Sequence, residues 1–91
     1  MNWGQFRVEH NREEGDLNVV TLAATTDRRV GNQRWSCVKD RYNTKLRTQY
    51  VELACLVSGP RTSVVTVGAS PPGAWAQVSP LLERSIASVR A

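Results

Sequence analysis

The sequence predicts an α+β domain, in which an antiparallel β-sheet of about five strands is packed by one C-terminal α-helix. Two segments rich in β-branched residues, 48–58 and 62–69, flank a Gly-Pro turn at residues 59–60. Prolines follow at residues 71 and 72 and end the sheet, because proline cannot donate to a strand ladder. Apolar residues then recur at spacings of three and four, the period of a helix. They are Trp75, Val78, Leu82, Ile86 and Val89.

The chain has 91 residues, the length of a single domain, and we expect residues 1–91 to form one. Its parts are an N-terminal hairpin over 1–33, an antiparallel meander over 34–69 and a C-terminal helix over 74–90. A chain this short buries only about two-thirds of its unfolded surface. A disulfide, a partner or a second copy of the chain would therefore add to its stability.

The N-terminal hairpin is predicted from a weakly alternating segment at 3–10, a polar turn at 11–16 and a β-branched segment at 17–25. Strands at 34–39, 48–58 and 62–69 then form the meander, with a charged connection over 40–47.

Alternation along the last two strands places Leu53, Val65 and Val67 on one inward face. We expect the C-terminal helix to cover this apolar surface. Within that helix, Ser79 and Pro80 suggest an N-cap followed by the first residue of the main helical segment.

The basic character lies in the middle of the chain, although the formal net charge is only +4. The segment 39–50 combines four cations with two tyrosines. Such a surface can pair with phosphates and stack on bases, or serve a protein interface, or be a solvated face. The candidate partner-binding residues are Arg41, Tyr42, Lys45, Arg47 and Tyr50.

The two cysteines fall on the predicted inward faces of neighbouring strands. If Cys37 lies opposite Cys55, their side chains are close enough to bridge. A structural disulfide and a pair of reduced, buried thiols both agree with this placement. Two cysteines are too few for a zinc site.

We expect no catalytic residues, no metal and no cofactor. His10 is the only histidine, so the chain cannot build a histidine pair or offer a choice of general base. The acidic turn of Glu13, Glu14 and Asp16 does not have the spacing of a calcium loop.

The chain has no apolar run of about 18 residues, so no membrane-spanning helix is expected. The first residues lack a basic segment followed by an apolar one, the pattern of a signal peptide. We therefore expect either a cytoplasmic protein or the processed form of an exported protein of the cell envelope.

A recognisable pattern runs from Arg34 to the end of the chain. It consists of strands at 49–57 and 63–67, a junction of small residues and prolines at 69–72, and a closing helix from Trp75 to Arg90. This pattern resembles the PsbP-like superfamily, which includes DcrB-type proteins and LpqN-type lipoproteins. The resemblance implies a sandwich around an antiparallel sheet and a non-catalytic role in complexes or envelopes.

The leading hypothesis is a non-enzymatic binding or accessory domain. It would engage a protein partner or an anionic ligand through its sheet edge or the 39–50 segment, and could do so as a homodimer. One alternative is nucleic-acid binding through the 39–50 segment. Another is a small-molecule enzyme or cyclase with an apolar pocket between sheet and helix.

Overall fold

The computed structural model describes residues 2–90, apart from the side chain of Thr26. Its elements are α1 (Trp3–Glu13), β1 (Leu17–Val30), β2 (Gln33–Asn43), β3 (Gln49–Ser58), β4 (Ser63–Ser70), a 3-10 turn (Pro72–Ala74) and α2 (Trp75–Ala87). The strands of this part of the chain form one antiparallel four-stranded sheet in the order β1-β2-β3-β4. The predicted α+β class, with an antiparallel meander and a C-terminal helix packed on it, is confirmed.

The prediction of a strand at residues 3–10, and with it the hairpin over 1–33, is wrong, because this segment forms helix α1. Asn2 caps the helix, since its side chain accepts a hydrogen bond from the Gln5 backbone N–H at 2.9 Å. The Gln5 side chain accepts one from the Asn2 backbone N–H at 3.1 Å. This reciprocal capping box is a helix-start signal that outweighs the weak alternation after it.

The connection predicted over 40–47 is shorter than expected, because β2 continues to Asn43. A tight turn then links β2 to β3, in which Arg47 donates its N–H to the Thr44 carbonyl at 2.8 Å. Arg47 has a φ of 62°, the left-handed conformation that usually favours glycine. The basic residues of this region are therefore divided between a regular strand and a turn.

The two helices cover opposite faces of the sheet. Glu52 of β3 pairs with Arg7 of α1. The next residue, Leu53, lies opposite Gly68 of β4, and Gly68 lies against Leu82 of α2. Successive strand residues point to opposite faces, and directly opposed residues share a face. The architecture is therefore three-layered, with an α1 face and an α2 face.

The prediction that Leu53, Val65 and Val67 form one apolar surface beneath the C-terminal helix is wrong in part. Leu53 lies on the α2 face, but Val65 and Val67 are paired with Leu56 and Ala54 and so lie on the α1 face. Their exposed fractions are 53% and 46%. Because β4 carries β-branched residues on both faces, alternation alone does not identify its inward side.

Helix α2 starts at Trp75 and contains Pro80 in its interior, whereas the sequence suggested Pro80 as the first residue of the main helix. Proline lacks an N–H, so the carbonyl of Ala76 loses its intrahelical partner. Ala76 and Pro80 are both exposed, and water can satisfy that carbonyl. Ile86, only 4% exposed, anchors the helix on the sheet.

The apolar core is small and lies mainly in the two central strands. Its buried members are Val38, Val51, Ala54, Cys55, Val57 and Ile86. Among residues 2–90, no helix has both the length and the apolar character needed to cross a bilayer, as predicted.

Candidate functional site

The five candidate partner-binding residues do not share one surface. Tyr42 and Tyr50 lie directly opposite each other on β2 and β3, and their rings stack with centroids 6.3 Å apart. Arg41 pairs with Val51 and therefore projects from the other face. The remaining two, Lys45 and Arg47, are exposed in and beside the turn between these strands.

The two tyrosines contact each other within the fold, and this leaves little of their surface for a partner. Both tyrosines are partly buried, and burial, followed by the nearby Glu52, raises the pKa of Tyr42 to about 12. The Tyr42 hydroxyl therefore stays protonated at physiological pH. Since each ring already stacks on the other, this pair is a poor platform for stacking a base.

The cysteines lie where the alternation placed them. Cys37 and Cys55 are directly opposite on β2 and β3, and in the structure they are joined by a disulfide. Cys55 is 1% exposed, whereas Cys37 is partly accessible. The bridge ties the two central strands together on the α2 face.

A buried polar cluster, which the sequence reading missed, holds α1 on the sheet. Arg7 Nη2 lies 2.9 Å from Glu52 Oε1, and the Asn11 side-chain amide donates to Glu52 Oε2 at 3.1 Å. All three residues are buried. At the start of the helix, Trp3 Nε1 donates to the Ala54 carbonyl at 2.9 Å. Both carboxylate oxygens of Glu52 are thus satisfied by α1.

Asp40 lies opposite Glu52 on β2 and is completely buried. Neither of its carboxylate oxygens has a hydrogen-bond partner of good geometry within the described part of the chain. Burial raises the pKa of Asp40 and the charge of Glu52 adds to this, while the facing Thr21 hydroxyl and Arg7 partly offset it. Burial and the neighbouring Glu52 carboxylate thus both favour the neutral form of Asp40.

One signal could have revealed this cluster. Trp3, Arg7 and Asn11 recur at intervals of four residues, so they form one stripe once the segment is read as a helix. Read as a strand, the same residues fall on one face without a common partner.

The two edges of the sheet differ in their protection against further strand pairing. Edge strand β1 has register shifts at three places and carries Asp27, Arg28 and Arg29. Edge strand β4 pairs with β3 without a shift from Ser63 to Ser70 and contains no charged residue and no proline. Regular, uncharged edges are those that accept another strand.

Comparison with known proteins finds no match to this chain among family models, curated proteins or solved structures. The resemblance to the PsbP-like superfamily therefore stays a prediction.

Proposed function

We propose that this chain is a non-enzymatic binding or accessory domain that engages protein through edge strand β4, with a second copy of the same chain as its partner. The observation that carries the proposal is the unprotected state of that edge. Its outer backbone N–H and C=O groups are free of a neighbouring strand, since β4 is the last strand of the sheet among the described residues.

A second copy suits this edge because the edge is complementary to itself. A twofold axis at Thr66 would pair two antiparallel β4 strands and set Val65 of each copy opposite Val67 of the other. These valines share the α1 face and are about half exposed. On the other face, the same register sets Val64 opposite Gly68, so no large side chains collide. Pairing would bury both valines without bringing like charges together.

The contrast with β1 supports the choice of edge. Bulges and charged side chains are the devices by which proteins prevent edge-to-edge association. Strand β1 has both, whereas β4 has neither. A closed dimer with an isologous β4 interface would leave β1 as the only kind of edge that faces solvent, and β1 resists further growth of the sheet.

The family resemblance and the cysteine pair support the wider role. Members of the PsbP-like superfamily act as accessory components of complexes and envelopes, without catalysis. A disulfide between Cys37 and Cys55 favours an oxidising compartment, so we propose the exported, cell-envelope location over the cytoplasm. Nucleic-acid binding through the 39–50 segment receives less support, because Arg41 lies on the face opposite Tyr42 and Tyr50.

The proposal is tested by measuring the molar mass of the chain by size-exclusion chromatography with light scattering over a range of concentrations. We expect the mass of a dimer for the wild type and that of a monomer for Val65→Lys, because an edge lysine blocks strand pairing. Leu22→Lys is the matched control. Leu22 is a similarly exposed residue on the other edge strand, at 44%, and its variant should remain dimeric.

Circular dichroism of both variants checks that each is folded. A wild type that stays monomeric at its highest soluble concentration would overturn the proposal. A dimer that survives Val65→Lys but not Leu22→Lys would move the interface to β1 and overturn it equally.

A further inference from the structure

A groove with mixed apolar and cationic walls lies between the C-terminal end of α2 and the hairpin of β1 and β2. We call it the α2 groove. Its main cavity has a volume of about 290 Å³, and its lining residues are Thr25, Arg28, Val30, Trp35, Cys37 and Ala87. A second cavity of about 230 Å³ adjoins it, because both are lined by Val30, Trp35 and Ala87. Arg90 lines this second cavity. The size suits a small ligand rather than a protein segment.

The cation in the groove is placed there by a β-bulge. On β2, Cys37 and Trp35 are two residues apart, but on β1 their partners Thr25 and Arg28 are three residues apart. The extra residue on β1 carries Arg28 onto the face of Trp35. Without it, Asp27 would occupy that position and the groove would contain an anion.

Asp27 is instead held away from the groove. Its φ is 55°, its N–H donates to Ser36 Oγ at 2.9 Å, and its carboxylate pairs with Arg34 at 2.7 Å. Ser36 and Arg34 alternate with Trp35 along β2 and so belong to the opposite face. The bulge therefore separates the two charges, leaving the acid on the α1 face and Arg28 in the groove.

The groove cations are not neutralised within the described structure. Three ion pairs form among residues 2–90, and neither Arg28 nor Arg90 takes part in one. Arg90 Nη1 donates only to the carbonyls of Ala87 and Val89, which brings its guanidinium to the end of α2. An anionic group in the groove would therefore meet two cations that have no carboxylate partner among residues 2–90.

Apolar residues form part of the remaining groove wall, beside Thr25 in the main cavity and Asn32 and Gln33 in the adjoining one. Trp35 and Cys37 line the main cavity together with Val30, whose exposed fraction is 46%. The indole Nε1 of Trp35 is shielded from solvent and has no hydrogen-bond partner among the described residues. Val30, Trp35 and Ala87 form the apolar surface that the two cavities share.

We propose that the α2 groove binds a small anionic amphiphile, in which an aliphatic body covers Val30 and Trp35 and a carboxylate pairs with Arg28. Arg90 extends the cationic rim on the adjoining side. Among the described lining residues there is no acid and base pair, and the proposal is one of binding. The groove lies at the β1–β2 end of the sheet, away from β4, and its occupancy is independent of dimer formation.

The probe is decanoate, kept below its micellar concentration and titrated into the full chain by calorimetry, with tryptophan fluorescence as a second readout. Decanol serves as the neutral probe of the same length. We expect decanoate to bind and Arg28→Gln to weaken it roughly three- to tenfold, the range for losing one charge-assisted hydrogen bond at an open site. The affinity for decanol should be unchanged by Arg28→Gln.

Arg29→Gln is the matched control. Arg29 is the next residue along β1 but lies opposite Arg34, on the other face, so its loss should leave both affinities unchanged. A third variant, Ala87→Phe, fills the groove from α2 and should abolish the binding of both probes. Circular dichroism confirms that each variant is folded.

Failure of the wild type to bind decanoate would overturn the proposal. Equal losses from Arg28→Gln and Arg29→Gln would also overturn it, because general surface charge would then explain the effect. If binding survived Ala87→Phe, the probe would bind outside the α2 groove, and this result would overturn the proposal as well. None of these outcomes changes the light-scattering result at β4, so the two proposals fail separately.

Discussion

The two faces of the sheet are covered by helices that are held in different ways. On the α1 face, the helix is anchored by polar groups, with Arg7 and Asn11 both bonded to Glu52. On the α2 face, the contact is mainly apolar: Ile86 of the helix is buried, as are Val51 and Val57 on this face of strand β3. A small domain with a thin core can thus use a desolvated ion pair on one side and hydrophobic burial on the other.

This difference predicts that mutations will destabilise the contacts of the two helices in different ways. A buried ion pair contributes little beyond what apolar residues would, yet removing one partner is severe because the other stays buried and charged. An apolar contact loses stability in proportion to the surface and volume that are removed. On the α1 face, the free energy of unfolding should therefore depend on single charged groups. On the α2 face, it should depend on the volume and shape of the side chains.

The largest effect is expected at the centre of the polar cluster. Glu52→Ala should lower the free energy of unfolding by about 3–5 kcal/mol, because Arg7 is left buried without its counter-charge. Urea unfolding measures the change. Glu83→Ala, which removes an exposed carboxylate of α2, is the control and should change stability by less than about 0.5 kcal/mol. Similar effects of the two variants would contradict the role assigned to the cluster.

A smaller effect is expected from added volume on the α2 face. A Cβ at Gly68 would come within 2.8 Å of Leu82 Cδ1, so Gly68→Ala should destabilise the protein by about 1–3 kcal/mol. Because the collision involves one side chain, Leu82→Ala in the same protein should recover part of the loss. A double-mutant cycle measures this coupling. If the two changes in the free energy of unfolding were strictly additive, Leu82 of α2 would not pack against Gly68.

The smallest effect is a pH dependence on the α1 face. The pKa of Asp40 is raised in the folded state, so the folded protein holds this proton more tightly than the unfolded chain does. Its contribution to stability is therefore present below the ordinary pKa of about 3.8 and is lost as the pH rises through the raised value.

Asp40→Asn, which stays neutral, should then be more stable than the wild type near neutral pH, by about 1–2 kcal/mol. The advantage should shrink as the pH falls, because an increasing share of the wild-type acid is then protonated. Urea midpoints of both proteins across this range provide the measurement. A constant difference between the two proteins at every pH would contradict a titrating Asp40.

The parts of the fold that follow from local patterns were predictable. Strands β2, β3 and β4 follow from alternation and turn residues, and α2 follows from its apolar stripe. The opposition of Cys37 and Cys55 follows from the same alternation. Helix α1 was missed because its stripe is polar, and a polar stripe shows no hydrophobic period.

The functional residues were less predictable, for a related reason. The partners of Glu52 lie 45 and 41 residues away in sequence, and no local pattern reports contacts at that distance. Arg28 reaches the α2 groove only because of the bulge, which shifts every later residue of β1 to the other face. Arg41 and Tyr42 could have been separated, since consecutive strand residues diverge, but their segment was read as a loop.

The distant anchoring of α1 sets an order of events during synthesis. The helix leaves the ribosome before the residues that hold it, since Ala54 and Glu52 follow 51 and 45 residues after Trp3 and Arg7. A helix of 11 residues with a polar inner side is marginal by itself in water. Helix α1 therefore emerges before its partners on β3 but folds after them, once the central hairpin of β2 and β3 has formed.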